Sequence, residues 1–377
     1  MTAFVFETTP RIVCEQGASA RLGQIAAELG VRHVFVVTDR FLLDAGLLND
    51  ALAGFESAGV RATVFSDVLA DPPEASVEAA VAAARTAGVD GVIGFGGGSS
   101  MDTAKLVALL VKSPRPLPEI YGIGLAKGPR LPLIQVPTTA GTGSEVTPIS
   151  IVTTPSAEKK GVVSPVLYPD VAVLDSRLTL GLPPRTTAMT GIDAMVHAIE
   201  AYTTRHKKNP VSDALALRAL MLLHGNLRTV LREPANAQAR ENMLLGSLLA
   251  GMAFANAPVA AVHALAYPIG GHFHVPHGLS NALVLLPVLE FNLRDAESGY
   301  AELGRVLGLA SGGDAKSAAR AFVDEMRTLV AEMPFEQNLR AVGIEASHLP
   351  MLAEDAMKVQ RLLINNPCDV LLADALA

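Results

Sequence analysis

Cysteine is nearly absent: Cys14 and Cys368 are the only two in 377 residues, and they lie at opposite ends of the chain. So few exclude a disulfide framework and fit a reducing compartment, here expected to be the cytoplasm. Charge is scarce as well, at 18% of residues, and it leans negative, with a formal net charge of −7. Nucleic-acid partners need basic faces, so this balance argues against them. No basic segment precedes a long apolar run in residues 1–10, which carry Glu7, and they do not read as a signal peptide.

Between Asn242 and Leu289 there is no Asp, Glu, Lys or Arg at all. About 20 apolar residues suffice to span a membrane. This run, however, is interrupted by Asn256, Pro258, His263, Pro268, His272, His274, Pro276 and His277, and polar groups at that density are costly in lipid. Buried core helices around a polar site are therefore expected, with a membrane transporter as the rival reading. Internal repeats and low-complexity segments are also lacking.

What is present falls into two halves. Strand-like runs at 34–38, 61–65, 91–95 and 133–136 alternate with helix-like stretches at 51–58, 76–87 and 101–111. Such alternation implies crossovers and a largely parallel sheet. Residues 149–174 become β-like with several prolines, predicting a hairpin and one further strand. After Leu182-Pro183-Pro184 the strand signals nearly vanish, and helical patterns cover 186–202, 210–231, 237–254, 259–266 and 280–291. The expected organisation is an α/β domain over 1–184 and an all-helical domain over 185–377, within the size at which one core gives way to two.

Two loops of the first half carry polar chemistry. Gly96-Gly97-Gly98-Ser99 follows one buried strand and opens a helix, a setting whose free N–H groups and positive helix end suit a phosphate. It is not the usual dinucleotide glycine pattern, and a tight strand-to-helix turn is the alternative. Pro137-Thr-Thr-Ala-Gly-Thr-Gly-Ser-Glu145 follows another strand and offers hydroxyls to a phosphate or ribose; an ordinary polar loop would read the same way. Asp39 ends an earlier strand, where it would accept from an adenosine ribose and repel a 2′-phosphate, or simply be a solvated loop aspartate.

The histidines point to a metal. Four of the nine lie between 263 and 277, inside the uncharged stretch. Asp193 and His197 are four apart in a helical pattern and share one face. His263 and His277 are natural third and fourth ligands, and three imidazoles with one carboxylate suit Fe(II) or Zn(II). Packed or solvated histidines are the alternative.

These motifs resemble the iron-containing (group III) alcohol dehydrogenase family along nearly the whole chain. The matching segments are Gly96-Gly-Gly-Ser-Ser-Met-Asp-Thr-Ala-Lys105, the Pro137–Glu145 loop, Thr190-Gly-Ile-Asp-Ala-Met-Val-His-Ala-Ile-Glu-Ala-Tyr202, Gly251-Met-Ala-Phe254 and Pro276-His-Gly278. The resemblance implies a dehydroquinate synthase-like fold, a dinucleotide-binding α/β domain followed by an all-α domain, with the active site in the cleft between them. It implies a metal on Asp193, His197, His263 and His277. NAD is implied on Asp39, Gly97, Gly98, Ser99, Asp102, Thr138, Thr139, Thr142 and Lys160. It also implies a small alcohol or carbonyl substrate and a homodimer or larger homo-oligomer.

Tyr267 stands where many members have histidine, Pro258 and Ala260 replace frequent glycines, and Cys368 replaces a usual arginine. Proton transfer is accordingly expected from Tyr267, His272 or His274, and Glu200 is expected to orient His197 from behind. The implied reaction is NAD-dependent oxidation of an alcohol to its aldehyde or ketone by hydride transfer, with the metal as Lewis acid. Rivals are a hydroxyacid–oxoacid transhydrogenase, a metal-independent reductase of the maleylacetate reductase type, zinc-dependent glycerol dehydrogenase and, from another class, a non-catalytic nucleotide-binding module.

Overall fold

The computed structural model describes residues 3–310 and 313–377. Its chain divides into two compact units, Glu7–Gly181 and Leu182–Ala377, the latter joined by residues 3–6. The division falls at Gly181–Leu182 rather than after Pro184, because Pro184 already forms the first residue of a helix, where its fixed φ and missing N–H cost nothing.

The first unit is built on a six-stranded sheet in the order β1-β9-β6-β4-β2-β3. The strands are β1 (Arg11–Cys14), β2 (His33–Val37), β3 (Arg61–Phe65), β4 (Gly91–Gly96), β6 (Leu133–Pro137) and β9 (Val171–Leu174). Every pairing in it is parallel. Alternate side chains of one strand go to opposite faces, and β2 shows it: Phe35 and Val37 enter one hydrophobic core while Val34 and Val36 enter the other. Burial on both faces explains why the inner strands β2, β4, β6 and β9 read as largely apolar runs. A smaller sheet joins β5 (Gly122–Ile123), β7 (Ile149–Thr153) and β8 (Lys159–Val163), with β7 and β8 forming the expected antiparallel hairpin. Strand β1 had no sequence signal, since its burial pattern is mostly exposed and it lies at the sheet edge.

The second unit is helical, without a strand among the described residues. Its long helices are Pro184–Thr203, Pro210–Arg232, Ala237–Asn256, Ala261–Phe273, His277–Asn292, Glu297–Val306 and Ala315–Ala331. Side chains start several of them: Asn209 accepts from the Ser212 N–H at 2.9 Å, and Asn236 from the Ala239 N–H at 3.0 Å. The charge-free stretch is spread over three of these helices. Among the described residues no single helix is long and apolar enough to cross a membrane. The pair Ala237–Asn256 and Ala261–Phe273 passes that test only jointly, and it is bent by 105°.

Candidate active site

On the sheet, parallel pairing places the carboxyl ends of β2, β4 and β6 side by side, and the three polar segments singled out above leave from those ends. Asp39 follows β2 and caps a short helix, its Oδ1 accepting from the Leu42 N–H at 3.0 Å. After β4, Gly97 is the N-cap of the helix Gly98–Leu110. The Thr138 N–H donates to the Gly96 carbonyl at 3.0 Å, tying the β6 loop to the β4 loop. A Cβ on Gly98 would lie 2.8 Å from Thr142 Cγ2, closer than real Cβ contacts occur, so glycine is what lets the two loops approach. Thr139 lies beside Gly97, 3.6 Å from where its Cβ would be. Gly97, Gly98, Ser99, Thr138, Thr139 and Thr142 are thus brought together at the edge where open parallel sheets bind ligands, with Asp39 at the end of the neighbouring strand.

Two other cofactor candidates sit differently. The Asp102 carboxylate accepts from Ser144 Oγ at 2.6 Å and the Ile151 N–H at 2.8 Å, so it ties the glycine-loop helix to β7. Burial pushes its carboxyl up, against the opposing pull of Lys105. Lys160 is about half exposed and lies 3.3 Å from Glu158. Adjacent residues of β8 point to opposite faces, and it is Lys159 that is buried, 2.7 Å from Asp71 Oδ1. The Asp71 N–H in turn donates to Ser99 Oγ at 3.2 Å. Lys159 is thus linked to the glycine loop through Asp71, whereas Lys160 pairs with Glu158. The Lys-Lys pair in the sequence could not say which of the two faces inward.

In the helical unit, Asp193, His197, His263 and His277 come from three helices, and their ligand atoms all lie within 4.8 Å of one another. Asp193 and His197 sit one turn apart on Pro184–Thr203, His263 lies in the first turn of Ala261–Phe273, and His277 opens His277–Asn292. A Cβ on Gly278 would lie 2.5 Å from the Met189 carbonyl, so this glycine allows the third helix to press against the first. The imidazoles of His197 and His263 stack at 4.7 Å, and Phe254 covers the other side of His197 at 4.4 Å.

Glu200 holds this cluster from behind, though not as expected. One of its oxygens accepts from His263 Nδ1 at 2.6 Å and the other from the Val262 N–H at 2.7 Å. It orients His263 across helices rather than His197 on its own helix. With Nδ1 as donor, His263 turns the lone pair of Nε2 toward His197 Nε2, 3.0 Å away.

Asn281, one turn after His277, was missed by sequence reasoning, although its i,i+4 spacing in a charge-free stretch was a usable signal. Its Nδ2 donates to Asp193 Oδ1 at 2.5 Å and lies 3.3 Å from both His263 Nε2 and His277 Nε2. Burial alone would push the Asp193 carboxyl up, but the three histidines and the Asn281 amide hold it below the ordinary range. Three imidazole nitrogens and one carboxylate, mutually within 4.8 Å and mostly buried, form a donor set that a divalent iron or zinc ion takes.

Of the residues considered for proton transfer, Tyr267 is near the cluster, its ring 6.2 Å from that of His277. Its hydroxyl accepts from an Arg361 guanidinium nitrogen at 3.2 Å. His272 and His274 are not brought to the cluster. His272 lies about 13 Å along the helix from His263 and faces Asp355 at 2.6 Å. His274 is exposed at the left-handed residue ending that helix, with φ of 53°.

Comparisons with known proteins agree with this geometry. The family model for iron-containing alcohol dehydrogenase matches residues 9–176, and that for the C-terminal part of the Fe-containing alcohol dehydrogenase family matches 187–376. Long-chain-alcohol dehydrogenase 1 of Geobacillus thermodenitrificans is 40% identical over 363 residues, covering 95% of this chain and 91% of that protein. The crystal structure of a 1,3-propanediol oxidoreductase superposes with a TM-score of 0.96 at 32% identity, covering 100% of this chain and 98% of that one. Sulfoacetaldehyde reductase from Bifidobacterium kashiwanohense, solved in complex with NAD+, gives a TM-score of 0.88 at 29% identity, covering 100% and 97%. With its fold, its glycine loop and its four converging ligands, the chain belongs to the iron-containing alcohol dehydrogenase family of oxidoreductases.

Proposed function

We propose that this chain is an NAD-dependent, metal-dependent alcohol dehydrogenase that interconverts an alcohol and its aldehyde or ketone. The observation that carries this reading is the buried cluster of Asp193, His197, His263 and His277 within 4.8 Å, a set a metal-independent reductase has no use for. These four residues would hold the ion, iron(II) or zinc, with Glu200 fixing the His263 tautomer. When bound, the metal supplies Lewis acidity toward a substrate oxygen, and NAD supplies the hydride acceptor.

The remaining work falls to the protein. The backbone N–H groups at the start of the helix Gly98–Leu110, with the hydroxyls of Ser99, Thr138, Thr139 and Thr142, cradle the cofactor's phosphates. The Asp39 carboxylate receives a ribose hydroxyl and disfavours a 2′-phosphate. The Tyr267 hydroxyl already accepts from Arg361, so its own O–H remains available to pass a proton between the substrate oxygen and water. The relatives are named for differing substrates, a long-chain alcohol, 1,3-propanediol and sulfoacetaldehyde, so the reaction class rather than one substrate comes from them. We place the enzyme in the cytoplasm as a homodimer or larger homo-oligomer, following the scarcity of cysteine and the habit of the family.

Elemental analysis of protein purified without oxygen tests this reading. About one iron or zinc per chain is expected, lost in His277→Ala while calorimetric NAD binding persists. Protein that stays metal-free after incubation with Fe(II) or Zn(II) would overturn it.

A further inference from the structure

We propose that Arg361 is a recognition site for an anionic group on the substrate, so that the preferred substrate is a short aldehyde bearing a carboxylate or sulfonate. This rests on the dehydrogenase reading given above.

The helix Gln360–Leu363 places Arg361 against Tyr267. The guanidinium donates to the Tyr267 hydroxyl at 3.2 Å, and its central carbon lies 5.7 Å from the ring centroid. Tyr267 is one turn from His263 on the same helix, and its ring lies 6.2 Å from that of the metal ligand His277. Laid end to end, these distances put the guanidinium within about 12 Å of that imidazole.

Among the described residues Arg361 has no acidic partner, whereas most arginines of this chain do, including Arg177, Arg185, Arg205, Arg228, Arg320 and Arg327. The nearest acid in sequence, Asp355, is already engaged by His272 and Lys358, each at 2.6 Å. The half-buried guanidinium presents five donors in a planar fork. One of these is used by Tyr267. The others are free for two parallel bonds to a carboxylate or sulfonate, each about 2.8 Å long. The hydrogen bond to the Tyr267 hydroxyl, with the ring nearby, holds the fork in place, which lowers the entropy lost on binding. With the guanidinium no more than about 12 Å from that imidazole, an anion held by Arg361 leaves room only for a substrate of a few carbons. An arginine serving no more than solvation would give no preference for such substrates.

The test compares succinate semialdehyde with butanal, which share a four-carbon chain and differ in the carboxylate. The holoenzyme is expected to show the higher kcat/KM with succinate semialdehyde. In Arg361→Met the ratio of the two kcat/KM values should fall about 10- to 150-fold, the range for a hydrogen bond to a charged group, and the loss should appear in KM. Arg361→Lys should recover part of it, and Tyr267→Phe, which keeps the ring but frees the fork, should lose less. An unchanged ratio in Arg361→Met, with butanal still reduced by the wild type, would overturn the anion site and leave the dehydrogenase reading standing.

Calorimetric titration of butanoate into the holoenzyme separates the two ideas. If neither aldehyde turns over, the dehydrogenase reading fails. Butanoate binding that disappears in Arg361→Met still supports the anion site, and binding that is absent or indifferent to the substitution removes it.

Discussion

The two candidate sites of this chain are built by opposite means. On the sheet, the groups that meet a ligand are largely backbone: glycines at the ends of β4 and β6, a helix start, and short hydroxyl side chains that leave the main chain within reach. In the helical unit they are all side chains, four ligands on three helices, held by Glu200 and Asn281. A phosphate is large and diffuse and is satisfied by many weak N–H donors. A metal ion is a point charge that needs few strong donors in fixed places. It follows that the sheet site should fail when space is taken away, and the helical site when a hydrogen bond is.

The largest effect is expected at Glu200. Glu200→Gln keeps the shape but weakens the hold on His263, and metal affinity should fall about 10- to 100-fold. Competition against a chromophoric chelator measures it; an unchanged affinity would mean that the imidazole is held by packing alone.

Next comes Gly98→Ala, which places a methyl group 2.8 Å from Thr142 Cγ2. Overpacking of this kind costs about 1–3 kcal/mol, and the NAD dissociation constant should rise about tenfold. Pairing it with Thr142→Ser removes the offending methyl and should restore much of the binding. A double variant no better than the single one would break the steric account.

A stability effect concerns the acid that ends the β6 loop. Burial pushes the Glu145 carboxyl up to about 7, while Lys105, itself lowered to about 8 by burial, pulls the other way. The folded pKa of Glu145 lies above its ordinary value of 4.5. The folded state therefore holds the proton longer than the unfolded one. That stabilisation is complete below pH 4.5 and is lost as pH rises through 7. Urea midpoints should decline between pH 5 and 7.5 by the equivalent of about 2–3 kcal/mol, and less so in Glu145→Gln. Parallel profiles for the two proteins would show that this carboxyl is not the cause.

The smallest change is at Asp39. Because it also caps a helix, Asp39→Ser is the better probe: the hydroxyl can still accept from Leu42, so stability should hold while the preference for NAD over NADP relaxes a few-fold. An identical NAD/NADP ratio of kcat/KM would show that the carboxylate does not touch the ribose.

Much of this was legible in the sequence because the signals were periodic or local. The strands at 34–38 and 91–95 announced themselves as short apolar runs, and the Asp193/His197 spacing put two candidate ligands on one face of a helix. What escaped was long-range. Strand β1 is short, mostly exposed and paired only with β9, some 160 positions later in the chain, so no local pattern marks it. The choice between Lys159 and Lys160 depends on which face of β8 is covered, and the choice of His263 over His197 for Glu200 on how two helices cross. His272 and His274 lie near the ligands in sequence, but His272 is at the far end of its helix against Asp355 and His274 is the exposed residue that ends it. Arg361 carried no motif at all, and only the folded chain shows its place beside Tyr267 and its want of an acidic partner among the described residues.

The contact at Gly278 limits how such an enzyme can be altered. Where two helices meet backbone to backbone, with the Met189 carbonyl occupying the space a methyl group would need, the crossing cannot be widened or slid by exchanging side chains. The metal centre is then a fixed part, inherited whole. Divergence toward new substrates, by natural drift or by a designer's hand, must be made at the rim, in residues such as Tyr267 and Arg361 that border the centre without holding it up.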